Sequence, residues 1–512
     1  MKKIISVFFN LIFFVNIIYA DISITPYGAA ETVSGSCFLL EGINSSIIVD
    51  CGLFMPEGIG NTEYKNRHID SKLIKAKALC LTHAHLDHSG KIPLLINSGF
   101  KGKIYSTNAT KEIALELFKC RNGFDLIKRN WFWSLSQQKK AKHKKSFIVA
   151  HWRPECKNKI KSLKYSKDTS YLDDLEKQES AKFLLCKNCC QLETQEIEEY
   201  FVTVEYGLEN SLSENLTVKF INAGHIPGSA SLMFTLDNKK VLFSGDLGSG
   251  GYSRFNGMFE VPERADLIFM EATYGSSIKK SSQQYEVFRK DLIKAVSNNK
   301  IVWIPALALN RTQKILYELK LMQEEGLLSK ELPIYSISPS ANAITALYQK
   351  ELSSSQSQKD WFLENVYQEG SILPKEAKLQ MLRNYDKQMI LLSSSGDMDR
   401  GKSYQLTPKM LLNRNVFVML VNYVSPLSNA GLALKGKVLH DGTRSIASVK
   451  QYDVFSDHAD FDMLQKWLQK QNKNTKIYIV HSSKQHLRDV IDALRKVGWQ
   501  NVDGVKIGVS VN

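Results

Sequence analysis

Three histidines and an aspartate fall within six positions, His83 to His88, in the run Thr82-His83-Ala84-His85-Leu86-Asp87-His88-Ser89-Gly90. The apolar stretch Ala78 to Leu81 leads directly into it and reads as a strand, so the fold has to bring a strand end to a metal. Neutral imidazole nitrogens and a carboxylate suit a borderline-soft cation such as Zn²⁺, and so tight a cluster has room to feed two ions rather than one. Two ions about 3.5–4 Å apart can hold a bridging hydroxide as nucleophile and clamp the attacked and departing oxygens of a phosphate ester. A plain polar loop would need turn formers and has no reason to repeat histidine at this spacing.

Other positions supply what the cluster lacks. His225, in Ala223-Gly224-His225-Ile226-Pro227-Gly228-Ser229, lies between strand-like Val218 to Ile221 and Ser231 to Thr235 and can complete a shell of three histidines. Asp246 follows another apolar strand in Leu242-Phe243-Ser244-Gly245-Asp246-Leu247-Gly248, with glycines on both sides that let backbone approach an ion; it is the natural bridging carboxylate. Asp50 ends the strand-like run Ser46 to Val49, where a carboxylate can orient a ligand from behind.

The 512 residues exceed what one core serves, which favours two domains, and 43% hydrophobic content is ample to bury both. Formal net charge is +15, and removing the first twenty residues, whose only charges are Lys2 and Lys3, leaves +13 in the folded body. That excess fits a polyanionic partner, although a lysine-rich proteome would produce it too. Val241 to Phe243, Leu267 to Met270, Ile301 to Ile304, Met389 to Leu392, Val416 to Val421 and Ile477 to Val480 read as buried strands. Helical patterns such as Thr312 to Gln323 and Asp462 to Lys470 lie between them, so the chain is α/β. Metal motifs occupy the stretches before about 275 and after about 438, which makes the middle an inserted α/β domain with a cleft at the junction.

Together these residues resemble the metallo-β-lactamase superfamily, and later blocks are similar to its β-CASP branch of RNA-processing nucleases. Glu271 in Phe269-Met270-Glu271-Ala272-Thr273-Tyr274-Gly275, His458 in Phe455-Ser456-Asp457-His458-Ala459-Asp460 and His481 in Ile479-Val480-His481 look like that branch's three motifs. Ile304 to Gln313 and Ser393 to Gly396 are similar to further blocks, all in the right order. The resemblance implies an αβ/βα sandwich at 21–275, carrying a basic cysteine-containing insertion at about 125–192. A β-CASP α/β domain at 276–437 and a return to the sandwich at 438–512 would follow.

By the same resemblance, His83, His85 and His225 hold one zinc, Asp87, His88 and His481 a second, and Asp246 bridges two ions per chain. The implied catalytic group is Asp50, Asp87, Glu271 and His458, in which His458 protonates the leaving oxygen and Glu271 holds its ring. Arg311 and Ser338 are candidate nucleic-acid contacts. Three departures stand out. His481-Ser482-Ser483 replaces the usual His-Gly-Glu, Asp397-Met398-Asp399-Arg400 is more acidic than the usual turn, and Asn422 to Lys437 lacks a terminal arginine.

From Lys128 to Lys167, basic residues are interleaved with Trp131, Phe132, Trp133 and Trp152, a composition that suits single-stranded nucleic acid or a surface insertion anchored by its tryptophans. His151, Cys156, Cys186 and Cys189 form a candidate structural zinc site, with a disulfide or free thiols as the competing reading. Cys37, Cys51, Cys80 and Cys120 read as core residues. Met1-Lys2-Lys3, then apolar Ile4 to Tyr19 and Ala20-Asp21, has the layout of a secretory signal peptide, with the mature chain starting near Asp21 and no stable membrane span after cleavage. A periplasmic or secreted location follows from cleavage and membrane anchoring from its failure, with the cytoplasm less expected.

The expected activity is zinc-dependent phosphodiester hydrolysis, a ribonuclease acting on RNA. Hydrolysis of DNA or of another ester, and a nucleic-acid-binding protein with degenerate activity, are the alternatives; a homodimer stays open.

Overall fold

The computed structural model describes residues 22–42, 45–55, 62–119, 194–236, 238–249, 257–278, 281–353, 366–368 and 388–512. The amino-terminal leader, the basic aromatic stretch and the His151, Cys156, Cys186 and Cys189 cluster lie outside these residues, as does Cys120. Cys37, Cys51 and Cys80 are buried free thiols, as expected of core positions.

Every strand read from the sequence forms, and the period-2 pattern explains how they stack. In Ser45–Val49, Ile47 and Val49 face inward while Ile48 points the other way, toward helices. In Leu267–Glu271 the same alternation sends Leu267 and Phe269 to the interior and Ile268 and Met270 outward. With both faces apolar, each strand has to be covered on both sides, and the result is two sheets packed face to face with helices outside.

The first sheet runs Ser23–Pro26, Phe38–Gly42, Ser45–Val49, Ala78–Cys80, Lys103–Ser106, Phe201–Thr203. The second runs Val502–Gly504, Lys476–Val480, Leu267–Glu271, Lys239–Phe243, Ala230–Leu236, Leu216–Asn222, Glu209–Ser213. Phe243 and Phe269 stack between the sheets with ring centres 4.6 Å apart. Helices Phe461–Trp467 and Lys484–Lys496 cover the second sheet's outer face with Trp467, Val490 and Leu494. This is the expected αβ/βα sandwich.

A third, wholly parallel sheet forms the inserted domain, in the order Val366–Gln368, Ile334–Ser336, Met389–Ser393, Ile301–Pro305, Val416–Leu420, Ser448–Gln451. Ile301 and Trp303 fill one face and Val302 and Ile304 the other. Ser448–Gln451, from beyond residue 437, pairs alongside Val416–Leu420 in this sheet. A short edge strand reading Ser-Val-Lys-Gln has no apolar run to announce it, so only pairing reveals it.

The insertion is seated firmly on the sandwich. Leu309, Ile344 and Tyr348 join the core beneath the first sheet's outer helices, and Lys350 Nζ lies 2.7 Å from Glu112. Among the described residues no helix is long and apolar enough to cross a membrane.

Candidate metal centre

Each predicted ligand sits just beyond the carboxyl end of a strand, where chain leaving a sheet is free to turn. Ala78–Cys80 delivers Thr82 and the histidine run, Leu216–Asn222 delivers His225, Lys239–Phe243 delivers Asp246, and Lys476–Val480 delivers His481. The packing at this end is tight. A Cβ on Gly52 would lie 1.6 Å from the Asp87 carbonyl oxygen, so only glycine lets the Asp50 loop pass the metal loop. Asp50 and His481 themselves adopt left-handed φ angles of +59° and +47°, a strain their surroundings have to hold.

Among the described residues the side chains meet as three overlapping groups: His83, His85 and His225 with Asp246; Asp87 and His88 with His481; and Asp246 with Glu271, His458 and His481. In the first, His85 Nδ1 lies 3.0 Å from His83 Nε2 and 3.1 Å from His225 Nε2. Asp246 Oδ2 stands 3.5 Å from His83 Nε2 and 3.6 Å from His225 Nε2. At the second, Asp246 Oδ1 is 3.2 Å from His88 Nε2 and 3.8 Å from His481 Nδ1, and Asp87 Oδ2 is 3.4 Å from His481 Nε2. A tetrahedral zinc with ligands about 2.0–2.1 Å away separates its donors by about 3.3 Å, so the residues present fit such an ion. His88 Nε2 and Asp246 Oδ1 are also buried with no hydrogen-bond partner, which is the state of atoms that face a cation.

Hydrogen bonds behind the rings select the atom each offers. Asp50 Oδ2 lies 2.7 Å from His88 Nδ1, and the Asp457 carbonyl 2.9 Å from His225 Nδ1. Thr82 Oγ1, which donates to Asp50, lies 3.1 Å from His83 Nδ1; Thr273 Oγ1, which donates to Glu271 Oε2, lies 2.9 Å from His481 Nδ1. With Nδ1–H donating to these acceptors, Nε2 of His83, His88 and His225 keeps its lone pair for a metal, whereas His481 presents Nδ1 to Asp246 at 3.8 Å and Nε2 to Asp87 at 3.4 Å. His85 turns Nδ1 inward.

The electrostatics agree. Burial holds the pKa of His225 down at about 3, so the ring stays neutral as a ligand must. Burial opposes ionisation of Asp87, yet hydrogen bonding to His481 and the charge of His88 bring its pKa to about 2. Burial likewise opposes a charge on His88, but Asp246 and Asp50 on its two sides pull it well above the ordinary histidine value. A cation between His88 and Asp246 would replace that proton.

His458 stands at the rim, its side chain 20% exposed, with Nδ1 3.1 Å from Glu271 Oε1 and 3.8 Å from Asp246 Oδ2. Burial lowers its basicity, but the Glu271 and Asp246 carboxylates outweigh this and push its pKa up to about 10. Divalent cations alongside would oppose that charge. Glu271 is anchored by the backbone N–H of Leu247 at 2.8 Å and of Thr273 at 3.1 Å, so the ring it holds is fixed in turn.

Asp50, named with the catalytic group, is 1% exposed and accepts hydrogen bonds from Ser36, Thr82 and His88, the setting of a carboxylate that orients a ligand from behind. Arg311, expected to touch nucleic acid, turns inward; it donates to the carbonyls of Val421 and of Val454, the latter at 2.9 Å, and lies 3.9 Å from Asp457. Ser338 is 4% exposed and accepts the Ser394 N–H at 2.7 Å.

The departures find local uses. Ser483 caps the helix Lys484–Lys496 by accepting the His486 N–H at 3.3 Å. Asp397 pairs with Arg400 at 2.8 Å, and Asp399 accepts the Asn429 N–H at 2.8 Å, so the acidic turn is tied internally. The sequence reading missed Thr273 and Asp457. Both sit inside quoted motifs, Thr273 two residues after Glu271 and Asp457 one before His458, and only that spacing could have drawn attention to them.

Comparison with known proteins agrees with this build. Residues 30–185 match the metallo-beta-lactamase superfamily, 312–430 the Beta-Casp domain, and 444–502 the Zn-dependent metallo-hydrolase RNA specificity domain. A Thermus thermophilus ribonuclease is 26% identical over 91% of this chain and 94% of its own. An RNase J-like protein of Methanocaldococcus jannaschii is 24% identical over 90% and 92%. The cleavage and polyadenylation specificity factor 73 of Drosophila melanogaster is 23% identical over 93% of this chain and 62% of its own. A solved Enterococcus faecalis protein of unknown function, 13% identical, shares the fold at a TM-score of 0.50 over 96% of this chain and 99% of its own. The chain carries a metallo-β-lactamase domain with an inserted β-CASP domain, and by that build it is a zinc-dependent hydrolase.

Proposed function

We propose that this protein is a ribonuclease that hydrolyses RNA phosphodiester bonds with two zinc ions per chain. The observation that carries the reading is the convergence of candidate metal-holding groups on Asp246, whose two oxygens face His83 and His88, beside His458, which the buried Glu271 carboxylate holds. The match of 444–502 to an RNA specificity domain and the ribonuclease relatives support RNA as the substrate.

In this reading His83, His85, His225 and Asp246 hold one ion, and Asp87, His88, His481 and Asp246 the other. When bound, the ions supply Lewis-acid charge and lower the pKa of water. Asp50, Thr82, Thr273 and the Asp457 carbonyl orient the ligand rings. Glu271 accepts from His458 Nδ1 and keeps the ring protonated, so that its other nitrogen can give a proton to the departing oxygen. The excess of basic residues favours approach of a polyanion to the protein.

The test is zinc content measured together with cleavage of matched RNA and DNA oligonucleotides. Close to two zinc ions at this centre and preferential RNA cleavage are expected; DNA preference, or two zinc ions with no cleavage of either strand, would overturn the assignment. We also propose that residues 1–20 direct export. Amino-terminal sequencing of the mature protein should then begin at or near Asp21, and an intact Met1 in the cytosolic fraction would count against it.

A further inference from the structure

Asp457 precedes His458 and faces two ways. Its backbone carbonyl lies 2.9 Å from His225 Nδ1. Its carboxylate forms an ion pair with Lys314 Nζ and lies 3.9 Å from Arg311 Nη2, both on the inserted domain's helix Arg311–Glu324. The side chains of Lys314 and Asp457 are 5% and 10% exposed, so this is a buried pair joining two domains. Arg311 also donates to the carbonyl of Val454 at 2.9 Å, which ties down the segment leading into Asp457. Immediately before that helix, Asn310 Nδ2 reaches the His225 carbonyl at 3.4 Å, and Tyr348 from the helix Pro339–Ser353 donates to Asn310 at 3.1 Å. The inserted domain therefore reaches His225 by two routes, one direct and one through Asp457.

A buried ion pair adds little stability over an apolar pair of similar volume, because desolvating two charges offsets their attraction. What it does provide is a fixed geometry, since each partner strongly penalises loss of the other. Here the fixed point is the side chain of the residue whose own carbonyl faces His225 Nδ1, adjacent to the ring that Glu271 holds.

We propose that Asp457 is a positioning residue whose ion pair with Lys314 latches the inserted domain onto the metal centre, holding His225 with Nε2 free for metal and His458 against Glu271. The proposal rests on the preceding reading only in taking His225 as a metal ligand. It makes assembly of the centre depend on how the inserted domain is seated, a link that ligand identities alone do not contain.

The decisive variant is the full-length double substitution Lys314→Met with Asp457→Asn, which removes both buried charges and keeps the backbone carbonyl. Zinc affinity is read by competition with a chromophoric chelator, stability by thermal unfolding of the zinc-free protein, and kinetics by initial rates on RNA. If the pair positions the centre, the double variant unfolds near the temperature of the unaltered protein yet binds one zinc about 10–100-fold more weakly, as loss of an outer-shell partner does. Its kcat should fall while KM stays within about twofold. Lys314→Arg, which keeps the charge, should recover most of the zinc affinity, whereas Lys314→Gln should not. Unchanged zinc affinity and kcat in the double variant would show a merely structural pair and overturn the proposal. Should the double variant not fold, equal zinc affinity of Lys314→Arg and Lys314→Gln would overturn it instead. An unaltered protein that binds zinc but cleaves no RNA would sink the ribonuclease reading and leave this measurement standing.

Discussion

The Asp50 carboxylate lies 2.7 Å from His88 Nδ1, and the opposite nitrogen of that ring faces Asp246 Oδ1 at 3.2 Å. One imidazole thus spans from a buried carboxylate to the centre of the site, and Asp50 fixes its direction from behind. Replacing Asp50 with Asn keeps the shape but removes the charge that sustains the His88 Nδ1–H. We expect zinc affinity at the Asp87, His88 and His481 set to fall about 10–100-fold while the other set is less affected. Calorimetric zinc titration checks this, and equal weakening of both ions would contradict the orientation role.

Asp246 belongs to two of the candidate metal-holding groups among the described residues, and its Oδ1 lies 3.2 Å from His88 Nε2 of the third. Asp246→Ala should lower zinc content at both positions and abolish RNA cleavage, because the bridge and its negative charge disappear together. Elemental analysis of the purified variant decides the matter. Full metal retention with normal turnover would refute the shared-ligand geometry.

His458 separates chemistry from metal binding. His458→Ala should retain both ions and substrate affinity while turnover drops about 10²–10⁴-fold, the usual range for a positioned general acid. The loss should shrink on an activated aryl phosphodiester, whose leaving group needs no proton. Glu271→Gln should give a weaker form of the same defect, since the ring stays but its hold is altered. Loss of an ion in His458→Ala would instead place the ring among the metal ligands, where its 3.8 Å approach to Asp246 would allow it.

The acidic turn of the inserted domain predicts a pH effect on stability. Burial and the neighbouring Asp397 raise Asp399 to a pKa of about 6, above the roughly 3.9 of an unfolded aspartate. The folded state therefore holds this proton more tightly, so its contribution is fully present below about pH 4 and is lost as pH rises through about 6. Asp399→Asn keeps an acceptor for the Asn429 N–H and removes the charge. It should raise stability at pH 7 by on the order of 1 kcal/mol, allowing for partial exposure, and flatten the profile between pH 4 and 6. Urea unfolding across that window tests it; an unchanged slope would show that Asp399 ionises freely in the fold.

Much of this molecule could be read along the chain. The histidine run, His225, Asp246 and His481 are legible because metal coordination demands particular donor atoms, and those residue types are conspicuous at strand ends. Buried strands such as Ile301–Pro305 are legible because both of their faces are apolar. The hydrogen bonds of Arg311 and Ser338 were not legible for the converse reason: a polar residue in a loop carries no mark of whether it turns toward solvent or toward backbone it satisfies.

The sequence by itself determined which donors exist and the order in which strands present them, since both follow from local chemistry and period. Tertiary structure alone decided which nitrogen each ring offers, that Asp50 stands behind His88, that Thr273 lies between Glu271 and His481, and that Lys314 pairs with Asp457 across 143 residues of chain. Those relationships are set by the register of distant strands and by the packing of the inserted domain on the sandwich. They depend on distances between segments that are far apart in sequence, which local side-chain preference does not encode.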